Sequence, residues 1–319
     1  MTKRGWSLFL AMCVIWGLPY LFIRIAVEDV SPAVLVLLRT ALAALVLLPL
    51  ALWRRQVRPV LARWRPLVVF SAIEIMVPWV LLGHAEQKIS SALAGLLVAA
   101  VPLFGALAFL VTAHAERFTA VQVGGLVLGF AGVACLLGFD LHHVDLLAVV
   151  EMLGVAVCYA AGPVVLTRWF SDLPGLGVMA CALTLTALVY TPFGILDAPT
   201  DVSGDAWGSI VALGLICTAL AFLVFPALIK EVGPTRATIF TYVNPAVAIA
   251  LGVVILDETV STGMVVGFPL ILVGCVVAAG TRSRGAAAAS VEPAADVALE
   301  LECPDDEDAV QQPSRDPSA

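Results

Sequence analysis

The chain has 319 residues, 61% of them hydrophobic and 13% charged, with a mean hydropathy of +1.03. Soluble globular chains carry roughly 25% charged residues, so this composition excludes a water-soluble domain and describes an integral membrane protein. The net charge of −7 belongs to the C-terminal segment, because residues 285–319 hold nine acids against one base, Arg315, leaving 16 bases and 15 acids before them.

A membrane span needs about 20 apolar residues, and ten stretches meet that requirement in chain order. They are 6–25, 32–52, 66–83, 90–112, 119–138, 146–166, 174–196, 207–229, 236–256 and 263–280. The first, behind Lys3 and Arg4, is too long for a signal-peptide core and lacks a small-residue cleavage site, so it reads as a retained span. The connections alternate in basicity. One set holds Lys3, Arg4, Arg54, Arg55, Arg58, Arg63, Arg65, Arg117, Arg168, Lys230, Arg236, Arg282 and Arg284. The other holds Lys88 and the acids Asp197, Asp201 and Asp205. Cytoplasmic loops are the basic ones, which predicts that both termini are cytoplasmic. The segment from Gly285 onward is rich in Ala, Pro and acids and is expected to be disordered. Its run Asp305, Asp306, Glu307, Asp308 reads as a solvated tail rather than a metal motif.

The series of spans is written twice. Pro19 and Arg24 recur as Pro163 and Arg168, Pro49 as Pro192, and Pro102 as Pro245. Glu116 recurs as Glu258, Gly125 as Gly267 and Gly132 as Gly274. Five spans in each half force the halves to enter the membrane in opposite directions. The expected fold is all-α, with ten transmembrane helices arranged as two inverted five-helix repeats, 1–140 and 145–284, followed by the tail 285–319. Two inverted halves with a site between them are a frequent plan of secondary transporters.

Trp16-Gly17, Arg39, the run Ala94, Pro102, Glu116, Gly125, Gly132 and the run Ala237, Pro245, Glu258, Gly267, Gly274 together resemble the drug/metabolite transporter superfamily, in its ten-span EamA-type branch. The likeness covers residues 6–280. It implies a carrier, commonly an exporter, of small metabolites such as amino acids, in a bacterial inner membrane; it does not imply one substrate. Pro102 to Glu116 is one residue longer than Pro245 to Glu258, a departure from strict symmetry.

Ionisable groups inside spans cost about 2.5–3.5 kcal/mol on insertion scales and are functional candidates by default. Glu74, near the middle of the third span, is expected to be the deepest. It reads either as a protonatable group lining a central cavity and coupling transport to protons, or as one member of a buried pair. Arg39 is read as a clamp for a substrate carboxylate, whose two oxygens fit the guanidinium fork, or as a packing ion pair with Glu74 or Glu151. Prolines 19, 78, 102, 163, 226 and 245 weaken the helices around Trp16, Tyr20, Trp79, Tyr159, Thr241, Tyr242 and Asn244. Of these, Trp16, Tyr20, Trp79, Tyr159, Tyr242 and Asn244 join Arg39 as candidate substrate contacts.

Glu116 and Glu258 close matching spans and read as interface anchors or loop partners. Gly125xxxGly129 and Gly263xxxGly267 read as close helix-packing faces, with dimerisation as the second use. His84, His114, His142 and His143 lie at span ends. Six of the seven cysteines (Cys13, Cys135, Cys158, Cys181, Cys217 and Cys275) fall inside apolar segments and Cys303 sits in the tail, all without metal spacing, so neither metal nor cofactor is expected. The expected partners are a small-molecule substrate, the lipid bilayer and protons. An intramembrane enzyme finds no HExxH, GxSxG or paired aspartates inside a span. A channel or scramblase finds no ring of polar residues, and no phosphate-binding Gly-rich loop is present for ATP drive.

Overall fold

The computed structural model describes residues 1–112, 119–138 and 145–279. His114, Glu116, Arg117, His142, His143 and the acidic tail lie outside the described residues. Among the described residues, eight helices are long and apolar enough to cross a membrane. They are α1 (Lys3–Ala26), α2 (Pro32–Trp53), α3 (Trp64–Glu86), α4 (Ser91–Ala108), α5 (Ala120–Leu137), α6 (Leu146–Phe170), α7 (Gly175–Leu196) and α8 (Gly204–Val232). Two shorter apolar helices follow, α9 (Ile239–Ile255) and α10 (Thr262–Ala278). Where ten full-length spans were expected, the ninth is shortened because it begins as a 3₁₀ turn, Thr238–Tyr242, before Asn244–Pro245 starts the α-helix. Proline has no N–H and restrains the residue before it, so a helix restarts there rather than running through.

Local chemistry sets several helix starts. The side chains of Ser31, Ser90, Asp145 and Ser203 accept the backbone N–H of Val34, Leu93, Ala148 and Ala206, the N-cap arrangement that satisfies an otherwise orphaned donor. Two helices are interrupted by a π turn at matching places, Ala72–Met76 in α3 and Leu215–Leu220 in α8. The sequence pattern did not announce either one. A π turn leaves backbone carbonyls out of the regular ladder, and such turns often mark functional sites. Here the Tyr190 hydroxyl donates to the Met76 carbonyl (2.9 Å), and Thr218 Oγ1 donates to the Leu213 carbonyl (2.8 Å).

The packing partners come in pairs that map onto themselves when the halves are exchanged. α5 packs on α10, α2 on α7 and α4 on α9, while α3 on α6 has its counterpart in α8 on α1. Glycines permit the closest of these approaches. A Cβ on Gly132 would stand 2.7 Å from the backbone nitrogen of Ile271, and one on Gly125 would stand 2.5 Å from that of Ala278. The GxxxG faces are therefore consumed inside the molecule, between α5 and α10. Two connections meet on one face, where Arg63 pairs with Asp172 (2.6 Å) and Thr2 hydrogen-bonds Glu231. On the other face the Ser203 amide donates to Asp29 (2.9 Å) and Lys88 lies 3.4 Å from Asp145.

Candidate functional site

The site is built where the two π turns face α2 and α6. Arg39, on the second turn of α2, is 7% exposed. Its Nε donates to Thr218 Oγ1 at 3.0 Å, and its Cζ lies 3.7 Å from the centroid of the Trp79 ring. Stacking a guanidinium on an indole is a favourable way to bury its charge. Tyr159 of α6 and Tyr20 of α1 stand among the groups acting on Arg39, and Tyr159 also adjoins Trp79. Four predicted contacts, Tyr20, Arg39, Trp79 and Tyr159, are thus brought together. Arg39 pairs with neither Glu74 nor Glu151. Glu151 binds His84 Nδ1 at 2.7 Å instead, because α6 turns that carboxylate toward the end of α3. Among the described residues no carboxylate lies within ion-pair reach of Arg39.

Glu74 occupies the centre of the α3 π turn and faces α6. Its Oε2 is buried and has no hydrogen-bond partner. The approach is so close that a Cβ on Gly162 would collide with the carboxyl group. Glu74 is therefore a separate feature beside the Arg39 group, next to Cys158 and Tyr159.

Trp16 and Asn244 form a second group, toward the face that carries Thr2 and Arg63. Trp16 packs against Phe225 and Phe240, with ring centroids 5.2 and 5.1 Å away, and edge-on to Phe222 at 6.3 Å. Asn244 opens the α-helical part of α9, and its Oδ1 is buried without a partner. Gly17 brings α1 against the Asn244 carbonyl and Val247. Tyr242 does not join either group closely; it packs beside the large core cluster and near Cys275.

Two residues gain roles that the sequence reading did not give them. Thr218 had no marker, being one hydroxyl in an apolar span. Glu86 is fully buried, with neither carboxylate oxygen hydrogen-bonded, and is less exposed than Glu74. It escaped notice because the third span was expected to stop at residue 83, which placed Glu86 in a loop. Glu258 accepts the backbone N–H of Ser91 (2.7 Å) and Ala92 (3.0 Å), fastening the α9–α10 connection onto the first turn of α4. That is the loop-pairing role expected of it.

The EamA-like transporter family model matches the chain twice, over residues 3–138 and 146–280. The chain belongs to the EamA-like transporter family. A relative described as an "Uncharacterized transporter" of Archaeoglobus fulgidus is 24% identical over 88% of this chain and 100% of its own length. The "Uncharacterized inner membrane transporter YedA" of Escherichia coli strain K12 is 29% identical over 79% of this chain and 82% of its own. A protein of Streptantibioticus cattleyicolor described as a "Probable terminal-alkyne amino-acid exporter" is 27% identical, over 86% and 90%. A crystal structure superposes with a TM-score of 0.60 at 25% identity, covering 87% of this chain and 96% of that one. As an EamA-family protein with many long apolar helices, the chain is a multi-pass membrane protein of a transporter family.

Proposed function

We propose that this EamA-family protein is a secondary carrier that exports small organic metabolites bearing a carboxylate, amino acids among them, by alternating access. The single observation that carries this reading is Arg39. It is a buried guanidinium held by Thr218 and Trp79, with no carboxylate in ion-pair reach among the described residues, so its remaining edge fits the carboxylate of a solute. The Streptantibioticus relative, an exporter of one kind of amino acid by its description, points the same way. Trp16, Tyr20, Trp79, Tyr159, Tyr242 and Asn244 line the path in this reading, and Glu74, whose Oε2 lacks a partner, couples movement to protons.

The architecture in this reading is ten spans in two inverted repeats, 1–140 and 145–284. Support comes from the helix contacts that exchange with the halves, from the matched π turns, and from the one-residue-in-series recurrence of Pro102 and Pro245. The arginine-rich face with both ends of the chain is the cytoplasmic one, and the membrane is a bacterial inner membrane, as for YedA. The test is flux of labelled amino acids and related metabolites through the purified protein in liposomes, with and without a pH gradient. Saturable and selective flux is expected. Folded, correctly inserted protein that moves none of the carboxylate-bearing solutes would overturn the reading.

A further inference from the structure

We propose that Glu86 is the proton-binding residue of an outer gate, holding a proton while that end of the molecule is shut and releasing it to the outer solution when the end opens. The inference rests on the carrier reading for its purpose and on separate geometry for its substance. Glu86 ends α3 beside the tip of α1, the start of α4 and the α9–α10 connection. Its charged or titratable neighbours are Glu258 from the α9–α10 connection, Arg24 and Tyr20 from α1, and Arg39 from α2. None of their side chains hydrogen-bonds it, and among the described residues the Arg24 backbone is the only donor acting on it. Arg24 is turned to Glu28 (3.2 Å), Arg39 to Thr218 and Trp79, and Glu258 to the amides of Ser91 and Ala92. His84 and Glu151 are paired with each other and Lys88 is turned to Asp145.

Glu86 is enclosed and feels the charge of the half-buried Glu258, and a carboxylate near a second one resists ionising, the more so when it is enclosed. Glu258 has two N–H donors at a helix N-terminus, where a negative charge is favourably placed. Glu86, with two unsatisfied oxygens, carries the proton. When the gate opens, the carboxyl O–H bond breaks, the proton passes to water, and the electron pair stays on a carboxylate that water and Arg24 can now reach. An ionised Glu86 opposes closure, because shutting the gate would bury an uncompensated charge. Proton uptake from outside therefore permits the empty carrier to close after the solute has left; the same proton returns to the outer solution at the next opening, so Glu86 gates the outer end without itself carrying a proton across the membrane.

The repeat supplies an internal control. At the spacing that pairs Ala94 with Ala237 and Pro102 with Pro245, the counterpart of Glu86 is Ile229. Ile229 is 2% exposed and lies in the apolar cluster with Met12, Ala221 and Phe240. Packing at this place is met by a hydrocarbon in one half, so the carboxyl in the other half is not there to fill space.

The gate can be read without any transported solute. Ile89, 6% exposed at the shut end, is changed to cysteine, and its labelling by an impermeant maleimide added outside is followed in liposomes. The signal is taken above that of the parent chain and corrected for the pH dependence of the thiol itself with an exposed cysteine placed at Asp201. Corrected labelling is expected to rise with pH, approaching about tenfold per pH unit over the titration of one proton. In the Glu86→Gln background it should stay low and flat, since the amide imitates the protonated acid. Glu86→Ile, copying Ile229, should give the same flat profile and serves if the glutamine variant folds poorly. A pH response that survives both substitutions, or no response in the Ile89→Cys chain with Glu86 intact, overturns the proposal. Loss of solute flux with the labelling profile intact would instead strike the carrier reading alone.

Discussion

At the residue scale, the contacts of Glu74 and Gly162 make a sharp prediction. Gly162→Ala forces a methyl group against the Glu74 carboxyl, and overpacking of this kind costs about 1–3 kcal/mol. The expected outcome is a lowered unfolding temperature in detergent. Glu74→Ala should relieve most of that loss, because the two changes are coupled through one contact. If the double variant is no better than Gly162→Ala alone, the glycine is serving some other approach. Arg39 shows what sequence can and cannot supply. A lone arginine in an apolar span announces itself, since such groups are expensive to bury. Its partners did not: the acids Glu74 and Glu151 were the natural guesses, and the actual holders are a hydroxyl and an indole. Thr218→Val removes that hydroxyl without changing the shape of the side chain. It is expected to leave the fold intact while weakening binding of carboxylate solutes several-fold, near the 0.5–1.5 kcal/mol of a typical hydrogen bond.

At the element scale, interruptions in the helices position the chemistry. Prolines predicted where α1, α4 and α9 would weaken, and the structure has breaks at Leu18, at Ala99–Ala100 and at Val243. Neither π turn contains a proline, though Pro78 follows the one in α3 by two residues; apolar periodicity alone could not reveal them. Glu258 is the element-scale contact most open to test. It satisfies two of the orphaned N–H groups of α4, and loss of such a cap costs about 0.5–2 kcal/mol. Glu258→Ala should therefore lower thermal stability, with Glu258→Gln retaining part of it because an amide oxygen still accepts. Equal stability of all three chains would show that the cap contributes nothing to holding the connection down.

At the scale of the whole molecule, membrane embedding and the doubled order of helices were legible because they are written in hydropathy, proline spacing and glycine spacing. The number of full-length spans was not, since α9 gives up its first turns to a 3₁₀ segment. The surface ties between halves were also unreadable, because exposed Arg63 and Asp172 have no pattern that distinguishes them from other loop charges. These ties carry a pH prediction. The Ser203 hydroxyl and amide hold the Asp29 carboxyl below the usual carboxylate range, the Arg63 guanidinium does the same for Asp172, and the Ala148 amide for Asp145. A group with a lowered folded pKa stabilises above its unfolded pKa, and that contribution is lost as pH falls through the folded value. Stability in detergent should thus hold through neutral pH and fall on acidification below the ordinary carboxylate range. Because Asp172 is exposed and Asp29 and Asp145 are only half-buried, the fall should be shallow and smaller in high salt.

The central claim is that a buried Arg39 receives the carboxylate of the transported solute. Counterflow of labelled amino acids in liposomes, comparing the wild-type chain with Arg39→Lys, tests it most directly. Lysine keeps the charge but lacks the planar fork and the stacking on Trp79. The account predicts saturable counterflow in the wild type that falls at least about tenfold in the variant, equivalent to about 1.4 kcal/mol, while amines without a carboxylate give no counterflow in either. Equal counterflow of carboxylate solutes by both proteins would contradict it.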